Sequence, residues 1–231
     1  MILPSGNFSR SSSPTFGNTA ALSRRNWFHP WCLSRRRRFL DILSASLILA
    51  LTSPMLLLLA LAIKLDAPGP IFFRQWRTGL GGRRFKIYKF RTMRRDADQL
   101  KETLRSLSHH GPDSPDFKIR NDPRVTRVGR VMRRMSLDEL PNLLNVVRGE
   151  MSLVGPRPTS FGIDNYAERH LVRLAVPPGM TGLWQISGRC ELDFDDRVEL
   201  DCRYIREQSL LLDLRIILKT PFSVLGGRGA C

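Results

Sequence analysis

Asp138 and Glu139 stand side by side in RRMSLDELPNLLNV, residues 133–146, a stretch otherwise basic or apolar. Adjacent carboxylates at the start of an apolar helical pattern have two uses. Ser136 with Glu139 three residues on has the form of a capping box, and acid in a first turn complements the helix dipole. The alternative is chemistry on a phosphate, which requires cations nearby. Taken alone, the spacing favours capping.

Candidate cations are not scarce. Arg157 lies between Pro156 and Pro158 in GEMSLVGPRP, and each proline biases its predecessor to an extended shape. That stiff loop suits a fixed phosphate ligand and equally a surface arginine. Arg189 closes the turn-rich stretch PPGMTGLWQISGR, residues 177–189. The glycines at 79, 81 and 82 match neither a P-loop nor a dinucleotide fingerprint. Aromatic and β-branched residues flank them, so residues 71–93 are expected to form a β-hairpin. Metal motifs are absent: Cys32, Cys190, Cys202 and Cys231 form no CxxC pair, and His109-His110 sits in a Gly/Pro-rich loop. The acidic run from Asp193 to Asp201 lacks calcium-loop spacing.

Positioning elements follow from pattern. The 231 residues hold 37 Lys and Arg against 21 Asp and Glu, a net charge of +16, which implies an anionic partner: nucleic acid, anionic lipid or a phosphorylated substrate. Residues 1–34 are Ser-, Asn- and Gly-rich with no acid, and are expected to be a disordered tail. Residues 39–63 are apolar apart from Asp41 and a few hydroxyls, long enough to span a hydrocarbon core of about 30 Å. Basic residues lie on both flanks, so the positive-inside rule gives no direction. Ser53-Pro54 near the middle should kink the helix, and a kinked helix could enter and leave by one face or cross; physics leaves both open. Residues 94–107 have helical spacing at Leu100, Leu104 and Leu107. Val125, Val128, Val131, Met132 and Met135 read as one face of a basic amphipathic helix, suited to a membrane surface or to a small core. Residues 191–208 read as an acidic helix, and SLLLDLRIILKTPFSVL as a core or interfacial helix.

Assembled in order, these residues resemble the bacterial monotopic phosphoglycosyl transferases, the sugar transferases that prime glycan assembly. The resemblance runs from about residue 36 to 225. It rests on the helix with Ser53-Pro54, YKFRTM, DPRVTRVGRVMRRMSLDELPNLLNVVRGEMSLVGPRP, PPGMTGLWQISGR and LLLDLRIILKT. Cys190 departs from the usual Asn or Ser after SGR. The resemblance implies an α+β, predominantly helical fold with a re-entrant membrane helix over 35–64 and a cytoplasmic catalytic domain over 65–231, carrying a β-hairpin and interfacial helices. It implies transfer of a sugar-1-phosphate from a UDP-sugar to polyprenyl phosphate, with release of UMP, on the cytoplasmic face of the bacterial inner membrane. By motif position Asp138 would be the nucleophile and Glu139 a ligand to Mg²⁺. Lys89, Arg133 and Arg157, and more weakly Arg189, would bind the diphosphate. Membrane lipid is then the expected environment and nucleic acid is not a partner; a homodimer is left open.

Overall fold

A computed structural model describes residues 31–104, 119, 122–188 and 192–225. Residues 1–30 and Arg189, together with Cys190, lie outside that set. Among the described residues the fold is α+β and mostly helical, with one antiparallel hairpin and one short parallel strand pair. Trp31 and Cys32, inside the stretch that composition assigns to the tail, are packed on the domain: Cys32 is buried against Tyr204, and the Trp31 indole donates to Asp213 at 2.8 Å.

Helix α1, Arg35–Asp66, has 32 residues, a length of about 48 Å. It is long and apolar enough to cross a membrane. Pro54 lies inside it, and the Ser53 hydroxyl donates to the Ala50 carbonyl at 2.8 Å. Ala50 is four residues before Pro54, so this carbonyl is the one that the missing proline N–H leaves without a donor. Ser53 replaces what Pro54 removes.

Both halves of α1 pack on the rest of the chain. Ala45 and Leu49 join a core with Phe85, Ile87, Leu143 and Val146, and Leu56, Leu59, Ala60 and Ile63 join another with Phe90 and Met132. The opposite side, with Leu47, Leu51, Leu57, Leu58 and Leu61, is bare. The basic run that opens α1 is not all free charge. Arg37 is 3% exposed and pairs with Asp213 at 3.1 Å, and Arg38 donates to the Val146 and Val147 carbonyls at 2.5 and 2.8 Å. Only Arg35 and Arg36 of the run are exposed.

The expected hairpin is present: β1, Phe72–Thr78, pairs antiparallel with β2, Arg84–Phe90, from Phe72 opposite Phe90 to Thr78 opposite Arg84. Gly81 and Gly82 turn the chain at φ of 62° and 79°, which glycine alone takes without strain. Helix α2 is a single turn, Leu100–Thr103, shorter than the leucine spacing implies, although residues 105–107 lie outside the described set.

Helix α3, Arg127–Arg134, starts at a Thr126 cap whose hydroxyl accepts from the Gly129 N–H at 3.0 Å. Its inward face differs from the expected one. Gly129 presses on the Thr92 carbonyl, leaving no room for a Cβ, so the buried line runs through Val128, Gly129 and Met132. Val131 and Met135 are turned out at 59% and 48% exposure, and Val125 forms an isolated bridge with Met93 before the helix begins.

A 3-10 segment, Leu137–Asn142, follows and leads into α4, Leu143–Arg148, which ends at Gly149 in the left-handed region. Strand β3, Ser152–Val154, pairs in parallel with β4, Gly179–Thr181. Helix α5, Phe194–Glu207, and helix α6, Leu210–Leu225, complete the fold. Helix α6 satisfies both readings of its sequence: Ile216 is in the core, while Leu211, Leu218 and Phe222 face outward and bare.

Candidate active site

The capping-box reading fails at the dyad. Ser136 sits at φ 54° in the left-handed region, and its side chain makes no capping hydrogen bond. Glu139 is therefore not needed at its own helix start and reaches outward instead. Lys89 Nζ donates to Glu139 Oε1 at 2.6 Å, Arg157 Nη1 donates to Oε2 at 2.9 Å, and Arg157 Nη2 also donates to Oε1. Residues 50 and 18 positions away thus meet on one carboxylate.

Each partner is held by its own element. Lys89 is near the end of β2, and the outer edge of that strand is fastened to α4 by the fully buried Asn145. The Asn145 amide donates to the Lys86 carbonyl at 2.8 Å and to Glu150 at 2.7 Å, and its oxygen accepts from the Tyr88 N–H at 3.1 Å. Arg157 lies just past β3, and its carbonyl accepts from Arg173 at 3.0 Å. Arg173 is buried and pairs with the buried Asp201 at 2.7 Å. Arg133 is in the last turn of α3, where its Nε donates to the Thr92 hydroxyl at 2.8 Å.

The two carboxylates are tuned in opposite directions. Burial, then the adjoining Glu139 charge, pushes the Asp138 pKa up against the pull of Lys89, Arg133 and Arg157. Burial also works to raise the Glu139 pKa, but Arg157 and Lys89 outweigh it and hold that carboxyl well below its usual range. Burial lowers the Lys89 ammonium, with Glu139 opposing. No hydrogen bond to the Asp138 carboxylate forms among the described residues, so its oxygens are open to a reaction partner. Glu139 Oε2 accepts a single hydrogen bond, which leaves a lone pair for a hard cation. One or two carboxylates suit Mg²⁺, which takes its other ligands from water and phosphate. The donor set fits such an ion.

Of the sequence-predicted residues, Lys89, Glu139 and Arg157 are in direct contact, while Arg133 reaches Asp138 through its field. Arg189 is outside the described set. Ser53 and Pro54 lie inside α1 and make no hydrogen bond to the site residues among the described residues. Arg77 was not singled out. It is half-buried on β1 beside Arg157 and Glu139, with its Nε unpartnered among the described residues, and burial of the guanidinium pushes its pKa down to about 10. Strand alternation carried the signal, because Phe73 is opposite Lys89 and Arg77 shares that face. Asn145, Arg173 and Asp201 gave no such signal, since their partners lie on distant segments.

A soluble binding module accounts for neither the clamped carboxylate nor the bare length of α1. Together they suit an enzyme that works at a membrane. The chain belongs to the bacterial sugar transferase family, whose sequence model matches residues 33–227. It is 41% identical over 226 residues to the galactosyl transferase CpsE of Streptococcus agalactiae serotype III (strain NEM316), covering 97% of this chain and 50% of that protein. It is 42% identical over 200 residues to the exopolysaccharide production protein ExoY of Rhizobium meliloti (strain 1021), covering 84% and 87%. It is 46% identical over 200 residues to the UDP-glucose:undecaprenyl-phosphate glucose-1-phosphate transferase of Caulobacter vibrioides (strain ATCC 19089 / CIP 103742 / CB 15), covering 82% and 70%. The chain therefore spans half the length of the streptococcal relative and most of the other two.

Proposed function

We propose that this chain transfers a sugar-1-phosphate from a UDP-sugar to a polyprenyl phosphate, and so begins the assembly of an exopolysaccharide. The observation that carries the reading is the dyad itself: a Glu139 clamped by Lys89 and Arg157 next to an Asp138 with open oxygens. An Asp138 oxygen attacks the sugar-bearing phosphorus, the bond between the two donor phosphates breaks, and UMP leaves. An oxygen of the acceptor phosphate then attacks the same phosphorus, and the bond to Asp138 breaks to restore the carboxylate. Splitting one displacement into two is what a carboxylate nucleophile offers. An anion attacking a diphosphate needs the intervening charge neutralised. Lys89, Arg133 and Arg157 supply that neutralisation, with Arg77 behind them. Glu139 would hold Mg²⁺, which when bound shares the diphosphate charge.

The acceptor phosphate ends a long lipid, so the site must sit at bilayer depth. A re-entrant α1 is supported by its two ends: Asp41 near one and Asp66 at the other both hydrogen-bond the same domain. A helix that crossed would carry one end about 30 Å away from that domain. The bare faces of α1 and α6 and the outward Val131 and Met135 of α3 would lie in lipid. Nucleotide sugars are cytosolic, which places the domain on the cytoplasmic face of the inner membrane.

The test incubates membranes bearing the chain with a panel of UDP-sugars and polyprenyl phosphate, and reads UMP release. One or more donors should release UMP, and Asp138→Asn should abolish it. Normal release by Asp138→Asn would sink the mechanism.

A further inference from the structure

We propose, resting on the transferase reading above, that Asp41 and Asp66, near the two ends of α1, are positioning residues for Arg157 and Arg133. Asp41 is buried in a segment whose other residues are apolar or small. Its Oδ2 accepts from the Ser152 hydroxyl at 2.8 Å and its Oδ1 from the Leu153 N–H at 3.1 Å. Ser152 and Leu153 are the first two residues of β3, and the chain runs straight on through Gly155 and Pro156 to Arg157. One turn before Asp41, Arg37 donates to the Val154 carbonyl, the last of that strand. At the other end, Asp66 Oδ2 accepts from the Val128 N–H at 3.0 Å. Val128 is in the first turn of α3, where an N–H has no acceptor within the helix, and Arg133 lies five residues on.

Apolar contact alone would attach α1 to the domain, as Ala45, Leu49 and Ile63 already do. What the two carboxylates add is direction, because a hydrogen bond fixes β3 and α3 along the helix axis where greasy contacts let them slide. The segment that carries the dyad runs into α4, which is fastened to the hairpin through Asn145 and to the start of α1 through Arg38. The membrane helix is therefore the common frame on which Arg157 and Arg133 are set relative to the dyad.

The experiment uses the full chain in lipid nanodiscs, with thermal melts to select folded variants. Steady-state UMP release is measured against UDP-sugar, and UDP affinity is measured by calorimetry. Asp41→Ala and Asp66→Ala should each lower kcat/KM for the donor about 10- to 100-fold, the range that a displacement of about 1 Å produces. UDP binding should weaken alongside, while KM for the lipid acceptor is unchanged. Asp41→Asn, which can still accept from Leu153 and meet Ser152, should stay within about threefold of wild type. A purely structural anchor would lower melting temperature and active yield without moving donor KM or UDP affinity in the folded fraction. Folded Asp41→Ala and Asp66→Ala with wild-type donor kinetics and UDP affinity would overturn the proposal, as would Asp41→Asn failing as badly as Asp41→Ala. If Asp41→Ala does not fold, Ser152→Ala takes its place under the same criterion. A wild-type chain that releases no UMP from any donor would sink the transferase reading, and UDP affinity would still decide the positioning.

Discussion

Arg157→Lys separates the shape of one side chain from its charge. The Arg157 guanidinium bridges Glu139 through both terminal nitrogens, one of them at 2.9 Å from Oε2, while Lys89 takes Oε1 at 2.6 Å. Lysine keeps the charge but is a point donor, so one of the two parallel bonds is lost. A hydrogen bond to a charged group contributes about 1.5–3 kcal/mol. The Arg157 side chain is 32% exposed, so solvent screening places the loss near the low end of that range. At about 1.5–2 kcal/mol, and about 1.4 kcal/mol per factor of ten, kcat/KM should fall about 10- to 30-fold. Arg157→Ala removes the charge too and should cost about 100- to 1000-fold. The assay is the initial rate of UMP release by the three proteins in matched nanodiscs, with melts to confirm folding. If the fork meets charge that develops in the transition state, kcat falls while donor KM holds. Arg157→Lys within twofold of wild type would refute the reasoning, because charge alone would then suffice.

Three further outcomes follow from packing and burial. Gly129→Ala drives a methyl into the Thr92 carbonyl and should cost about 1–3 kcal/mol, read as a lower midpoint of thermal unfolding. Asn145→Ala strands the Tyr88 N–H and the Lys86 carbonyl at the edge of β2, which should destabilise by about 2–4 kcal/mol and slow UMP release through Lys89. Burial raises the Asp201 pKa to about 7 despite Arg173, so the folded chain holds a proton there that the unfolded chain releases near 4. Stability from this group is therefore lost as pH rises from about 4 to 7, and the advantage of Asp201→Asn over wild type should grow across that window and level off above it.

The hairpin, the apolar helix and the order of motifs were legible because each depends on local pattern: alternation around glycines, a long run without charge, prolines that stiffen a loop. The direct meeting of Lys89, Glu139 and Arg157 was legible only through family resemblance, since three segments must converge to make it. The inward face of α3 was misread because hydropathy gives a glycine little weight, yet Gly129 is where the helix presses on the Thr92 carbonyl. Hydropathy shows Arg37 and Arg38 only as charge on a flank of the apolar run. Their partners at Asp213, Val146 and Val147 lie more than 100 positions on, and no window along the chain contains both ends.

The misread cap bears on which carboxylate reacts. Had Ser136 and Glu139 closed a capping box, Glu139 would have been spent on its own backbone. The left-handed Ser136 and the 3-10 turn instead send neighbouring side chains roughly 120° apart, so that the two carboxylates meet different surroundings. Glu139 is stabilised as an anion by three donated hydrogen bonds, which makes it a poor base and a poor nucleophile. Asp138 has the raised pKa and no hydrogen bond among the described residues, so it is the more basic and the more available oxygen. Two carboxylates driven apart by their environments take different roles. The exchange Asp138→Glu with Glu139→Asp tests this directly, because it keeps both charges and both positions while lengthening one arm and shortening the other. UMP release should drop at least about 100-fold, since the clamp and the nucleophile each miss by about 1 Å. Activity retained in the exchanged protein would mean that the two carboxylates are interchangeable, and that the opposite tuning has no part in the chemistry.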